Sequence, residues 1–308
     1  MEIVNHINEI DNSVAISLTI GNFDGLHLGH QHLLKLLKSS ADKNKTKVAV
    51  MTFVPHPHEI LRPSESSYLI NTYNERRCLL EAHGADYIIE MPFTRDFSTT
   101  TPEDFLEKDI FCGPTISQLI LGYDFVFGSN KIGNFDSICS YCAKKNVEVQ
   151  RQSEFSLEGE VISSTMVRNS LCEGDIESAN KYLGRNYFIS GGVVKGEGRG
   201  RQIGFPTANI SFSSKRITPE RGVYITRTNY KEMKYCSLTN IGLNPTFGHR
   251  ETLSVETHIL DFDKDIYGEN IMVDFVKKLR DEKKFNSVND LIVQIKEDVV
   301  HAKRYFGL

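Results

Sequence analysis

His27 and His30 are the residues whose spacing most directly suggests chemistry. They frame His27-Leu28-Gly29-His30, directly after Gly21-Asn22-Phe23-Asp24-Gly25. Three residues apart, they share one side of a first helical turn. Two imidazoles facing a bound triphosphate can donate hydrogen bonds to oxygens that gain charge as the α-phosphate is attacked, with no covalent intermediate. A lone histidine is an ordinary surface or core residue. A pair on a glycine-rich strand-to-helix turn reads as a nucleotide site.

Further constellations could handle phosphate. Ser163-Ser164-Thr165 leads into a helix carrying Arg168, an arrangement that offers backbone donors and a fixed cation, although the hydroxyls alone make an ordinary cap. Thr207 and Asn209 alternate onto one side of an extended segment beside the loop Gly196–Gly204, two neutral oxygen ligands suited to Mg²⁺ carrying ATP phosphates. That loop matches neither the dinucleotide nor the phosphate-loop spacing. Pro55-His56-Pro57-His58 reads as a loop, its prolines excluding helix, with His58 simply exposed.

The elements that must position these residues follow from periodicity. Ala15–Ile20 and Lys47–Phe53 read as buried strands, and Leu33, Leu36 and Leu37 recur at helical spacing. Asn71–His83, Pro102–Phe111 and Asp136–Lys145 read as helices, with strands at Asp86–Met91 and Ile116–Leu121. Alternation of this kind predicts a parallel sheet with helices on both faces, a Rossmann-like α/β domain. Asp175–Leu183 forms a short helix closed by Gly184, and there the character changes. The runs Gly191–Lys195, Gly222–Thr228, Met233–Ile241, Ser254–Phe262 and Asn270–Leu279 predict a small antiparallel β-barrel, with a terminal helix over Asn286–Tyr305. The expected domains are residues 1–183 and 184–308.

The first histidine pair and its glycine run resemble the His-x-Gly-His signature of the nucleotidyltransferase superfamily, and Ile162-Ser163-Ser164-Thr165 with Arg168 resembles its second signature. Gly204-Phe205-Pro206-Thr207-Ala208-Asn209 is similar to the riboflavin kinase signature, as are Gly222–Tyr224, Asn240–Phe247 and Val255–His258. Nearly the whole chain resembles the bifunctional prokaryotic FAD synthetases, which join riboflavin kinase and FMN adenylyltransferase. The resemblance implies ATP, riboflavin and FMN as substrates and Mg²⁺ as the metal. It implies Arg168 on the β- and γ-phosphates that leave as pyrophosphate, and Glu256 as the base for the flavin 5′-hydroxyl. His56 and Pro57 would lie near the nucleotide or flavin, as would Gly122, Asp124 and Phe125 in Gly122–Gly128. Lys195, Gly204, Phe205, Pro206, Asn240 and Arg280 are the remaining implied binding residues. One departure is Val126, where the family commonly has arginine, and Gly133-Asn134 stands in place of a Gly-Asp pair.

A chain of 308 residues has room for two cores, and 36 basic against 40 acidic residues leave a net charge of −4. No general basic surface exists for nucleic acid, which with the Ser-Ser-Thr-Met-Val-Arg run excludes a class I aminoacyl-tRNA synthetase. The sequence lacks a signal-like N-terminus or a membrane-length apolar run, so a cytoplasmic protein without membrane contact is expected. Six cysteines, including Cys139-x-x-Cys142 without further ligands, read as reduced thiols, that pair being one packed helix face. The alternatives are a paralogue keeping one activity and a non-catalytic flavin-binding regulator. Oligomeric state is not legible.

Overall fold

The computed structural model describes residues 1–64, 67–245 and 251–308, so Thr246 and Phe247 of the Asn240–Phe247 run lie outside the described residues. The chain divides into two compact units, Met1–Ser164 and Thr165–Leu308.

The first unit runs β1 (Glu2–Val4), β2 (Ala15–Ile20), α1 (Leu28–Asn44), β3 (Lys47–Val54), α2 (Pro57–Leu61), α3 (Tyr73–Ala82) and β4 (Tyr87–Pro92). It continues through α4 (Pro102–Asp104), which passes into a π-helical turn over Phe105–Ile110, then β5 (Thr115–Leu121), α5 (Phe135–Ala143) and β6 (Glu148–Arg151). A hairpin of β7 (Ser156–Leu157) and β8 (Glu160–Val161) closes it. The sheet order is β1-β4-β3-β2-β5-β6, all parallel. Alternate residues of β3 serve opposite cores. Ala49 and Met51 pack with Ile16, Leu18 and Ile20, whereas Val48 and Val50 pack with Leu33, Leu34 and Leu37 of α1. Burial on both faces is why these strands read as unbroken apolar runs.

Helices begin where caps allow. Thr72 and Glu75 form a capping box on α3, and Gly84 follows its end at φ 88°. The Pro55–His58 segment departs from the expected loop, because Pro57 opens α2 at a first-turn position, where a proline's missing N–H costs nothing. His58 is half-buried rather than exposed, its ring stacked 3.5 Å from that of Tyr68. Cys142 is buried in the core on α5 beside the half-buried Cys139, and all six cysteines are free thiols.

The second unit starts within the first turn of α6 (Ser164–Cys172) and continues with α7 (Ile176–Leu183), β9 (Tyr187–Val194), α8 (Arg199–Gln202) and β10 (Ala208–Ser211). There follow β11 (Gly222–Tyr230), β12 (Met233–Pro245), β13 (Glu251–Ile259), β14 (Asn270–Arg280) and α9 (Val288–Phe306). Six strands close a barrel in the order β10-β13-β12-β11-β14-β9, antiparallel throughout. Its interior carries a chain of buried hydroxyls, Thr228 to Ser237, Thr226, Thr239 and Thr257, linked at 2.8–2.9 Å. Each hydroxyl can donate once and accept twice, so the chain satisfies itself without water. Asp175 caps α7 and Gly184 ends it in the left-handed conformation. Asn180 then ties α7 to the barrel, donating to the Phe275 carbonyl and accepting from the Tyr187 N–H.

Candidate active sites

In the first unit, the turns after β2, β3 and β5 leave one edge of the sheet, because the three strands are parallel neighbours. The turn after β2 holds Phe23, Gly25 and Leu26 at φ 50°, 81° and 42°. For each of the two non-glycines this costs about 1–2 kcal/mol, which surrounding contacts must offset. A Cβ on Gly25 would lie 2.8 Å from Ile70.

Those contacts are visible. The buried Asp24 carboxylate accepts from the backbone N–H groups of Ile70 and Asn71 at 3.0–3.3 Å, and the Ser164 hydroxyl donates to the Asp24 carbonyl at 2.8 Å. The Asn22 carbonyl accepts from Thr52 and from Arg76, each at 3.1 Å. Gln31 secures the Leu26 carbonyl and Gln152 that of Gly29. The result is a backbone arc held from several sides that delivers His27 to the N-cap of α1.

His27 accepts from the His30 N–H at 3.4 Å, and the two rings stack 3.7 Å apart at 21°. Phe23 lies against His30 at 5.1 Å. With Gly21 on the same turn, the residues of the His-x-Gly-His run lie together at the start of α1. The Gly21 Cβ position lies 3.2 Å from the Phe23 ring, so a side chain there would press on the same residue.

The neighbouring segments are placed less uniformly. His56 is buried and caps α2, accepting from the His58 N–H at 3.1 Å while its own N–H meets Tyr73 and Glu59. The Tyr73 phenol also bonds Glu59, and burial followed by that bond pushes its pKa above the usual range. Pro57 is half-buried beside it. Beyond β5, Asp124 and Val126 are exposed, while Phe125 stacks on Phe127 and Gly122 leaves room for the Asp124 carboxylate. Ser163 and Ser164 are half-buried and Thr165 is exposed; Arg168 lies buried one turn further along α6.

Sequence reasoning missed Arg76. It is 3% exposed on α3, reaching the carbonyls of Asn22 and Phe53 at 3.1 and 3.4 Å and the buried Glu90 at 3.7 Å. Burial lowers its pKa, and the Glu90 and Asp24 carboxylates act against that. The missed signal was a second arginine in Glu75-Arg76-Arg77 on a helix face that otherwise packs inward.

In the second unit, strand pairing builds the site. Glu256 of β13 sits in register with Asn209 of β10 on one side and Asn240 of β12 on the other. Val255 and Thr257 face the interior and are buried, so by alternation Glu256 projects from the other face. The Thr207 hydroxyl donates to a Glu256 oxygen at 3.3 Å. Pro206, Thr207, Asn209 and Glu256 line a cavity of about 410 Å³, closed by the Gly196–Arg201 loop and the Phe262–Tyr267 segment. That second wall is the part of the site the sequence reading omitted.

Gly196 makes a close approach, since a Cβ there would lie 2.4 Å from the Asn209 side-chain amide. His258 bonds the Pro206 carbonyl at 2.8 Å and meets the Phe205 ring edge-on, bracing the segment before Thr207; Gly204 there has φ 87°. Lys195 is exposed. Arg280 is not among the residues lining this cavity. Its guanidinium is held by the buried Asp298 of α9 at 2.8–3.1 Å. Among the described residues, no group of three or more His, Cys, Asp or Glu could hold a metal ion. A cation at this site would instead meet the Thr207 hydroxyl and the Asn209 amide. Those hard oxygen donors fit Mg²⁺, and the hydroxyl proton is already committed to Glu256, leaving oxygen lone pairs for the metal.

A Rossmann-like unit with a histidine-bearing turn, followed by a closed barrel with a carboxylate between two amides, fits the class of two-domain ATP-using transferases. Comparison with known proteins narrows this. The FAD synthetase family model matches residues 9–166, and the riboflavin kinase model matches residues 183–306. The chain is 35% identical to the bifunctional riboflavin kinase/FMN adenylyltransferase of Bacillus subtilis, over 94% of this chain and 92% of the relative. For the proteins of the same name from Haemophilus influenzae and Escherichia coli K12 the identities are 36% and 35%. The shares are 94% of this chain with 94% and 93% of the relatives. A crystal structure described as a macrolide-efflux protein from Streptococcus pneumoniae matches with a TM-score of 0.87 and 30% identity, covering 98% of each chain. Among the described residues no helix is long and apolar enough to cross a membrane. The chain belongs to the bifunctional riboflavin kinase/FMN adenylyltransferase family.

Proposed function

We propose that two domains divide FAD synthesis from riboflavin between them. In the barrel, residues 184–308, riboflavin and ATP give FMN and ADP; in residues 1–183, FMN and ATP give FAD and pyrophosphate. The observation that carries the kinase assignment is Glu256 lying between Asn209 and Asn240, with Thr207 donating to it.

Glu256 accepts the proton of the flavin 5′-hydroxyl as that oxygen attacks the γ-phosphorus and the bond to the β-phosphate oxygen breaks. Phosphoryl transfer needs alignment and charge stabilisation more than covalent help, so one base beside the nucleophile suffices. Thr207 and Asn209 would hold Mg²⁺, which neutralises phosphate charge when bound with ATP. In residues 1–183, the FMN phosphate attacks the α-phosphorus while His27 and His30 donate to its oxygens; Arg168 is assigned to the pyrophosphate that leaves. The turn Gly21–Gly25 brings backbone N–H groups close to the nucleotide, and the segments around His56 and Gly122 border it. Six free thiols and the need for ATP favour a cytoplasmic setting.

Each reaction should be removable alone. Glu256→Gln keeps size and hydrogen bonding without basicity, and lowers FMN formation by about 10²-fold while FAD still forms from supplied FMN. His27→Ala does the reverse, so that FMN accumulates from riboflavin. Chromatography of products from riboflavin, ATP and Mg²⁺ reads both. Loss of both reactions in Glu256→Gln, or undiminished FAD synthesis in His27→Ala, would overturn the division.

A further inference from the structure

The geometry points to Arg76 as a positioning residue of the adenylyl step: its guanidinium holds the Asn22 carbonyl and thereby the backbone arc that places His27 and His30. The inference rests on the assignment of those histidines to nucleotide transfer.

Burying an arginine is expensive, because the group stays charged. At 3% exposure Arg76 is nearly sealed from water. Its charge is matched by Glu90 at 3.7 Å, but that carboxylate is already gripped by Arg77, whose Nε donates to it at 2.9 Å. Among the described residues the Nε of Arg76 has no hydrogen-bond partner, while its two terminal nitrogens are spent on main-chain carbonyls. Those carbonyls belong to Asn22, just past β2, and Phe53, near the end of β3. The fork therefore spans the carboxyl ends of two neighbouring strands, where the site opens.

The choice of Asn22 matters because the next residue enters the left-handed region. A peptide plane that must turn sharply at Phe23 is set by its carbonyl, and this carbonyl accepts from both Arg76 and Thr52. The Tyr73 ring packs against the guanidinium at 4.9 Å, so the donor itself has little freedom. From Asn22 the arc runs only five residues to His27 and eight to His30. A tilt of the Asn22 plane moves both imidazoles together.

Arg76→Met, Arg76→Lys, Thr52→Val and His27→Ala in the full chain test this, with riboflavin phosphorylation as the internal control. Arg76→Met should lower kcat for FAD synthesis by about 10²-fold, the scale of a misplacement near 1 Å, with KM for ATP changed by less than about threefold. Arg76→Lys should recover part of that loss, since lysine keeps the charge without the two-armed fork. Thr52→Val should lower kcat by about fivefold, and combined with Arg76→Lys the effects should be non-additive, because both donors serve one carbonyl. Calorimetric ATP stoichiometry separates positioning from folding. A fall in kcat at full stoichiometry supports the proposal, whereas a loss that merely tracks the fraction of protein still able to bind ATP overturns it. If Arg76→Met does not fold, Arg76→Lys and Thr52→Val decide, and unchanged kcat in both overturns it. FAD synthesis surviving His27→Ala would remove the underlying site assignment instead. Loss in His27→Ala with normal kcat in the Arg76 variants would remove only the role of Arg76.

Discussion

The two candidate sites hold their reactive groups in different ways. In the first unit the histidines ride on a turn with three positive φ values, and buried side chains from α3, β3 and distant loops pin its carbonyls one by one. In the barrel, Asn209, Glu256 and Asn240 are fixed by strand register, with the backbone ladder supplying the alignment and an exposed glycine loop completing the cavity. A turn site depends on many non-local contacts and tolerates few changes around it. A register site comes with the fold itself, and its loops can vary.

The largest expected effect tests whether the barrel carries its site alone. A fragment of residues 184–308 should fold and phosphorylate riboflavin, since every strand that aligns Glu256 lies within it. It omits α7, whose Ile176, Ala179 and Leu183 are buried and whose Asn180 bonds the barrel. A fragment of residues 165–308 should therefore be more stable by roughly 2–4 kcal/mol in urea unfolding, with similar kinase turnover. A folded 184–308 fragment without kinase activity would show that the register site is not self-contained.

Glycine substitutions sharpen the contrast on a smaller scale. Gly25→Ala puts a Cβ at φ 81° and 2.8 Å from Ile70, so it should destabilise the first unit by about 1–3 kcal/mol and depress FAD synthesis. Gly196→Ala brings its Cβ to 2.4 Å from the Asn209 amide, on an exposed loop able to shift away. It should cut riboflavin phosphorylation by about tenfold with little change in melting, the expected cost of displacing a ligand by a fraction of an ångström. Equal melting shifts in both variants would erase the distinction drawn between a pinned turn and a free loop.

The smallest effect concerns pH. Burial pushes the Cys142 thiol up to about 11 from an ordinary 9.0. The folded state thus keeps a proton that the unfolded chain releases, and the stability this contributes is full below pH 9 and lost as pH rises through 11. The half-buried Tyr73 phenol, also raised, acts in the same direction. Thermal melting of the first unit should fall over that window less steeply in Cys142→Ala than in the parent protein. An identical slope would mean that the thiol does not titrate with unfolding.

What was legible in the sequence was whatever depends on residue type and near-neighbour spacing. The His27/His30 pair, the Thr-x-Asn of Thr207 and Asn209, the closure of α7 by Gly184 and the two-sided burial of β3 all follow from local periodicity and chemistry. Two features depart from the local pattern: Pro57 begins a helix where two prolines point to a loop, and Tyr68 stacks on His58, which local sequence leaves exposed. The terminal helix was visible, but the ion pair that joins its buried Asp298 to the half-buried Arg280 was not.

The tertiary structure alone decided which distant residues meet. Asn240 and Asn209 flank Glu256 because a six-stranded barrel closes with β13 between β10 and β12, an order that local pattern does not encode. Arg76 reaches Asn22 because α3 packs where the ends of β2 and β3 leave two carbonyls to satisfy. Strand order, register and buried polar partners are settled by the packing of whole faces and by the cost of leaving a buried polar group unpaired. Both act between residues far apart in the chain, where spacing carries no signal.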